Sequence, residues 1–406
     1  PIEEPAASGL LIPVETQDQL IQSFRQGFTQ AVDETATAAT DDAASDPLIV
    51  ETASGASEDN AASRSFSTTY SLEANVDEHD AVKYDGSHLF IAPSRSMDCC
   101  FIFEDVVFED QDIIANDALT LPEDSTQDDN HSIRILATDP EQAAATQVGN
   151  IAVDINRSVE GLYINDSQLV SIDSSGWWGL YGEAFISPIT WQGQSIGLAV
   201  YDISDTANPS LDWQIDIEGG FISSRKIGDT VYLVARHTPQ VEALHYYPSD
   251  DEMLAENQAT LEAISIEDVL PKISINGSES TLLGATDCRV TDSQHSNSPA
   301  ASFTPTMTLL IAIDLAPDSQ SEPSVVQAVC YMEPTSGIYV SEKAIYLTQA
   351  DYNNPENRTF VHKYTLDNKI SYSGSGVVSG TINGSSRDFR INEYDNHLRL
   401  VTTAFT

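Results

Sequence analysis

Residues 82–92 read VKYDGSHLFIA: a short apolar strand, an Asp-Gly turn and a second apolar strand. The pattern returns as LYINDSQLVSI (162–172), SRKIGDTVYLVA (224–235), YVSEKAIYLTQ (339–349) and INEYDNHLRLVT (391–402). Asp-Gly supplies the positive φ that a two-residue hairpin turn needs, and the other copies carry Asn, Asp, Gly, Ser or Glu in the same place. Five copies of one hairpin predict a repeat architecture.

Two further strands are predicted after every hairpin but the last. They are 132–139 with 148–155, 196–204 with 210–218, 307–315 with 324–332, and 359–367 with 370–380. Four antiparallel strands, repeated, describe the blades of an all-β propeller. No blade stands alone, because each has two apolar faces that only its neighbours can cover. The expected blades span about 76–155, 160–218, 221–332 and 337–386, with part of a fifth at 388–406. Four and a half blades are read as a fragment of a larger ring.

The region before the strands differs in texture. In 15–32, Leu20, Ile21, Phe24, Phe28 and Val32 recur at three- and four-residue spacing, which predicts an amphipathic helix over about 16–32. Thr16 and Gln19 fit a capping box. From 33 to 64 the chain is Ala, Ser, Thr, Asp and Glu, too poor in large apolar groups to offset ordering entropy, and reads as an acidic linker. Residues 1–64 are therefore taken as a leader and 65–406 as the propeller.

The blades are spaced unevenly because of insertions at 95–131, 173–195 and 236–306, with a short one at 350–358. All lie between the second and third strands of a blade. Strands alternate in direction, so these loops leave from one face, and enlarged loops on a rigid frame are the usual way to build a recognition surface.

Composition narrows the function classes. There are 63 Asp and Glu against 18 Lys and Arg, a formal net charge of −45. Such a surface repels phosphate backbones and anionic lipid, so no nucleic-acid partner is expected. No apolar run reaches membrane-spanning length.

VDEHDAVKYDG and INEYDNHLRLVTT together resemble a family of secreted bacterial and archaeal β-propeller proteins distantly related to WD-repeat proteins. Val76, Asp77, Glu78, Asp80, Val82, Lys83, Asp85 and Gly86 fit the first of the family's motifs. Glu393, Tyr394, Asp395, Leu398, Arg399, Thr402 and Thr403 fit the second. His79 stands where the family has a small residue, and Asn392 where it has Asp. The resemblance implies the fold and a secreted, periplasmic or cell-surface location; it implies no chemistry.

Several groups are candidate sites. The DEHD run (77–80) is expected to set the lead-in strand, since a single His between acids lacks the paired spacing of a zinc site. The second insertion carries Trp177, Trp178, Tyr181, Phe185 and Trp191, which read either as anchors for a protein or sugar ligand or as a lid packed over the blades. Cys288 and Cys330 fall toward one face and are a candidate disulfide; the pairing of Cys99 and Cys100 stays open. The carboxylates of 104–130 would suit Ca²⁺, but the string lacks the Asp-x-Asp-x-Asp-Gly pattern, so a solvated acidic loop is expected. No cofactor, metal set or catalytic residue is assigned. The leading expectation is an exported, non-enzymatic scaffold that binds a protein or glycan. The alternatives are a polysaccharide hydrolase using channel carboxylates and a calcium-stabilised module of the cell envelope.

Overall fold

The computed structural model describes residues 10–38, 73–93, 131–175, 191–292, 304–315, 324–335, 337–351, 357–367, 369–382, 390–395 and 397–404. Their strands form four blades and a hairpin. Blade one is Val82–Tyr84, His88–Ile91, Ser132–Asp139 and Ala144–Ala152; blade two is Ser158–Asn165, Gln168–Ser174, Ser195–Asp202 and Ser210–Glu218. Blade three is Gly220–Ile227, Thr230–His237, Met307–Asp314 and Ser324–Tyr331. Blade four is Gly337–Ser341, Ala344–Asp351, Arg358–Asp367 and Lys369–Ser379, and a hairpin of Ile391–Tyr394 with His397–Leu400 comes after it. Within each blade, neighbouring strands are antiparallel and consecutive, and a register shift falls between the third and fourth strands of every blade. Such bulges sharpen the twist that lets flat sheets stack as blades. No closed ring forms among the described residues.

The core is a set of layers between blades. Phe90, Ile133 and Ile135 of blade one meet Leu162 and Leu169 of blade two. Val234 and Leu310 of blade three meet Ile345, Leu347 and Tyr364 of blade four. Tyr339, Tyr346 and Val361 of blade four meet Ile391 of the last hairpin. The mutual covering predicted from the repeats is what buries these side chains.

The turns depart in detail from the Asp-Gly reading. Asp85 and His88 close the first hairpin, so Gly86 and Ser87 are its central pair. Asp85 flanks the turn, and its carboxylate accepts the Ser87 and His88 amides at 2.7 and 2.6 Å. Those bonds hold its pKa down against burial. Positive φ sits at the first central residue of four hairpins, Gly86, Asp166, Gly228 and Asp395.

The N-terminal helix runs over Gln17–Ala38, past the point where apolar periodicity stops. Thr16 caps Gln19, as the pattern predicts, but Gln19 reaches back to the Glu15 amide. Leu20, Phe24 and Phe28 are fully buried against blades two and three. Just before the helix, Leu11–Pro13 pairs with Cys288–Thr291, which in turn lies parallel to the fourth strand of blade three. Blade three is thereby widened to a sheet that contains the N-terminus of the described chain.

Residues 73–80 take a course not visible in the sequence. Asp77–Glu78 pairs with Lys226 and Arg225 of blade three, and Asp80 bridges Leu162 of blade two. Glu73 accepts from Tyr339 of blade four and from Asn392 of the last hairpin. The segment is thus a strap along the first strands of three blades and the last hairpin.

Candidate binding cleft

The third insertion, predicted only as a long loop, is folded. It holds helices Asp251–Ala263 and Ile266–Val269, a hairpin of Lys272–Ile275 with Ser278–Thr281, and the strand Cys288–Thr291. Asp250 caps the first helix by accepting from the Met253 amide at 2.9 Å. Asp268 caps the second by accepting from the Ser265 amide and hydroxyl at 2.8 and 2.7 Å, which lowers its pKa. Asn257 exchanges two hydrogen bonds with the His245 backbone and ties the first helix to the chain leaving blade three. Arg25 of the N-terminal helix donates to the Glu262 carbonyl at 2.7 Å, a cation placed at a helix C-terminus. The hairpin joins the fourth strand of blade two through Ile273–Ile275. Cys288 and Cys330 form a disulfide across the outer edge of blade three, with Cα atoms 4.4 Å apart.

Between this insertion and blade two lies a cleft of about 740 Å³. Gly219, the link between blades two and three, lines it. A Cβ on Gly219 would lie 2.7 Å from the Arg236 carbonyl, and its φ is +142°, so a side chain is excluded there. One wall carries Trp191, Gln194 and Ser195; the other carries Val241, Glu242, Ile264, Glu267, Asp268 and Leu270. Glu218 and Lys272 close one end, where the Glu218 carboxylate accepts the Lys272 amide at 3.0 Å.

His237 ends the second strand of blade three and lines the cleft. It is 7% exposed. Burial pushes its pKa down to about 4, partly offset by a hydrogen bond to the Val269 backbone. The ring is therefore neutral at pH 7. A bond that favours protonation is one the ring donates to a carbonyl. The ring Nε2 is buried and has no hydrogen-bond partner among the described residues. Nothing in the run ARHTPQ marks His237 from sequence; its burial comes from the insertion helices folding over it.

Beside the cleft, Arg157 binds Asp173 and donates to Ser195 Oγ at 2.9 Å, with Asp216 3.7 Å away. Burial nevertheless raises the Asp173 pKa. On the far side of blade three, Glu333 is buried among Thr291, Thr308 and blade four. Desolvation, then the Asp351 charge, push its pKa up to about 8, while Asp351 itself pairs with Arg358 at 2.8 Å.

Among the residues singled out from sequence, Trp177, Trp178, Tyr181 and Phe185 lie outside the described residues, as do Cys99, Cys100 and the acidic stretch 104–130. Trp191 is described: it is 4% exposed, and the Arg236 guanidinium stacks 4.4 Å from its ring centroid. The DEHD run is engaged in structure. Lys83, buried, is 2.7 Å from Asp77; Arg225 is 3.6 Å from Glu78; and His79 Nδ1 lies 3.2 Å from Ser224 Oγ. Among the described residues no three His, Cys, Asp or Glu side chains are grouped to hold a metal ion, and no helix is long and apolar enough to cross a membrane.

A family model described as "Beta propeller domain" matches residues 66–406. No curated protein and no solved structure matches the chain.

Proposed function

Since the chain belongs to the beta propeller domain family, we propose that it is a non-enzymatic recognition scaffold that binds a protein or glycan ligand on the face bearing the insertions. The observation that carries this reading is the cleft between blades two and three, to which Trp191 of the second insertion and Val241, Ile264 and Leu270 of the third contribute beside strand residues such as Glu218 and His237. Ligand pockets of several hundred Å³ lined by apolar groups and a few convergent polar ones are the usual form of such sites.

Two further observations support it over the alternatives. A channel hydrolase needs free carboxylates near the first strands, yet the Asp77 and Glu78 carboxylates are paired with Lys83 and Arg225. Asp173, whose pKa is raised, is tied to Arg157. We further infer that the protein works in an oxidising, extracytoplasmic compartment, since a disulfide such as Cys288–Cys330 persists there.

The test is a glycan array and a protein-partner screen with the full chain and two variants. Glu242→Lys alters the insertion face; Asp205→Lys alters a turn between third and fourth strands, on the opposite face. Loss of the bound ligand with the first variant alone is expected. Equal loss with both, loss only with the second, or turnover of an arrayed polysaccharide would overturn the reading.

A further inference from the structure

We infer that Asn276 is a site of self-modification: in the folded protein its side-chain amide is attacked by the Gly277 backbone nitrogen, ammonia is released, and the turn is left with aspartate or isoaspartate. This goes beyond the recognition cleft and does not rest on it. Asn276 and Gly277 are the central pair of the hairpin that joins Lys272–Ile275 to Ser278–Thr281. Both are exposed, with φ of +48° and +85°. Positive φ at both central residues is what a two-residue hairpin turn asks of Asn-Gly. Asn276 also fastens the turn to blade two. Its backbone N–H donates to the Gln214 carbonyl at 3.0 Å, and its Oδ1 accepts the Gln214 amide at 3.0 Å.

The reaction needs a nucleophile with room to close a ring, an electrophile, and a donor where negative charge collects. The Gly277 nitrogen is the nucleophile, and beyond its chain neighbours nothing lies within 4 Å of a Cβ built at Gly277, so nothing crowds the five-membered ring. The Asn276 Cγ is the electrophile. As it is attacked, charge collects on Oδ1, the atom to which the Gln214 N–H already donates. A fixed backbone N–H at this distance from a developing oxyanion stabilises it. The atoms balance as follows. The Gly277 N–H gives its proton to water or hydroxide, the N–Cγ bond forms, and Nδ2 takes up a proton and leaves as ammonia. Water then opens the cyclic imide. Opening at the side-chain carbonyl gives aspartate; opening at the main-chain carbonyl gives isoaspartate. The isoaspartate form routes the main chain through Cγ, one atom longer, in a turn that has only two residues. The bonds to Gln214 are then lost, and the hairpin stays on blade two through Ile273–Ile275 alone.

The test incubates the full chain, folded and in urea, in neutral and in mildly alkaline buffer. Peptide mapping by mass spectrometry reads the replacement of the side-chain NH₂ by OH, and an isoaspartyl methyltransferase labels the isoaspartate. In the folded chain, conversion at Asn276 with isoaspartate among the products is expected, faster in the alkaline buffer because the attacking nitrogen must lose its proton. Asn156 and Asn165, which precede Arg157 and Asp166, should convert at least about tenfold more slowly, and Gly277→Ala should slow Asn276 by about tenfold, since a side chain restricts the backbone that must close the ring. Should Gly277→Ala disturb the turn, the comparison of asparagines within the wild-type chain still carries the test. The inference falls if Asn276 converts no faster than Asn156 and Asn165. It falls if Asn276 converts in urea but stays intact in the folded chain, which would mean that the bonds to Gln214 protect the turn. Aspartate without isoaspartate would also overturn it, since that product comes from direct attack by water and not by Gly277.

Discussion

Blades three and four share one frame and differ in almost everything added to it. Each has four consecutive antiparallel strands and a bulge before the last. Each has one buried histidine, His237 or His362, held near pKa 4 by desolvation. Blade four adds nothing among the described residues: its His362 packs against Tyr331 and bonds Ser375 Oγ at 2.6 Å, in a sealed seam. Blade three adds a helical insertion, a disulfide, a parallel outer strand and the N-terminal strand and helix. Its histidine ends in the wall of a cleft. One frame thus yields a packing surface in one place and a site in another, and the difference lies in the chain inserted after the second strand.

If the additions are part of blade three's fold, removing their anchors should cost as much as core damage. Phe24→Ala is expected to lower unfolding free energy by about 3–5 kcal/mol, the usual range for a buried Phe. Phe360→Ala in blade four should do the same, and a single denaturant transition should persist in both. A Phe24 variant that loses under about 1 kcal/mol in urea melts would mean that the helix is an accessory.

Replacing Cys288 and Cys330 by Ala removes a link over a sequence separation of 42 and should cost about 2–4 kcal/mol. Gly27→Ala should cost about 1–3 kcal/mol, although Ala favours helix. A Cβ there would lie 2.4 Å from the Thr304 backbone, at the strand end where the insertion rejoins blade three. A stabilised Gly27→Ala protein in thermal melts would show that the helix does not sit this close.

The frame was legible because hairpins are local. Tyr84, Gly86 and Leu89 sit within six residues, and alternation with a turn residue announces them. The site was not, because its parts meet only through distant pairing. Leu11–Pro13 joins a strand nearly 280 residues later, and the strap at 77–80 reaches blades two and three while its motif reads as the start of blade one. Helix Asp251–Ala263 has only Asn257 and Leu261 buried, so no apolar stripe marks it; the Ser-Asp-Asp cap before it and the strong helix formers within it were the available signals. His237 has no spacing signature because its burial comes from chain that folds over it from beyond its own strand.

The seam between the two blades has its own pH signature. Glu333 has a folded pKa raised above 4.5 to about 8, so its stabilising share is whole below pH 4.5 and is lost as pH rises toward 8. Glu333→Gln keeps an acceptor for Thr291 and removes the ionisation. Relative to wild type it should gain about 1–2 kcal/mol between pH 5 and pH 6.5, with no gain below pH 4.5. His237 and His362 act in the other sense: their folded pKa values lie below 6.5, so both forms of the protein weaken as pH falls from 6.5 to 4. Taking the difference between variant and wild type removes that shared slope. Chemical denaturation at four pH values measures it, and a flat difference would mean Glu333 is hydrated.

The smallest expected effect separates the two frames themselves. Blade three turns its first hairpin at Gly228, with φ of +56° and nothing within 4 Å of an added Cβ. The cost of Gly228→Ala is therefore conformational alone, about 1 kcal/mol. Blade four turns between Ser341 and Ala344 through Glu342 and Lys343, neither of which has positive φ. A glycine at Lys343 has no strain to relieve and should cost up to about 1 kcal/mol through the unfolded state. The two losses are expected to match in size in urea melts and to differ in origin. Gly228→Asn, which tolerates the left-handed region, should recover most of the loss at 228. Failure to recover it would show that blade three's hairpin needs glycine for close approach, and so that even the repeated frame is not the same in the two blades.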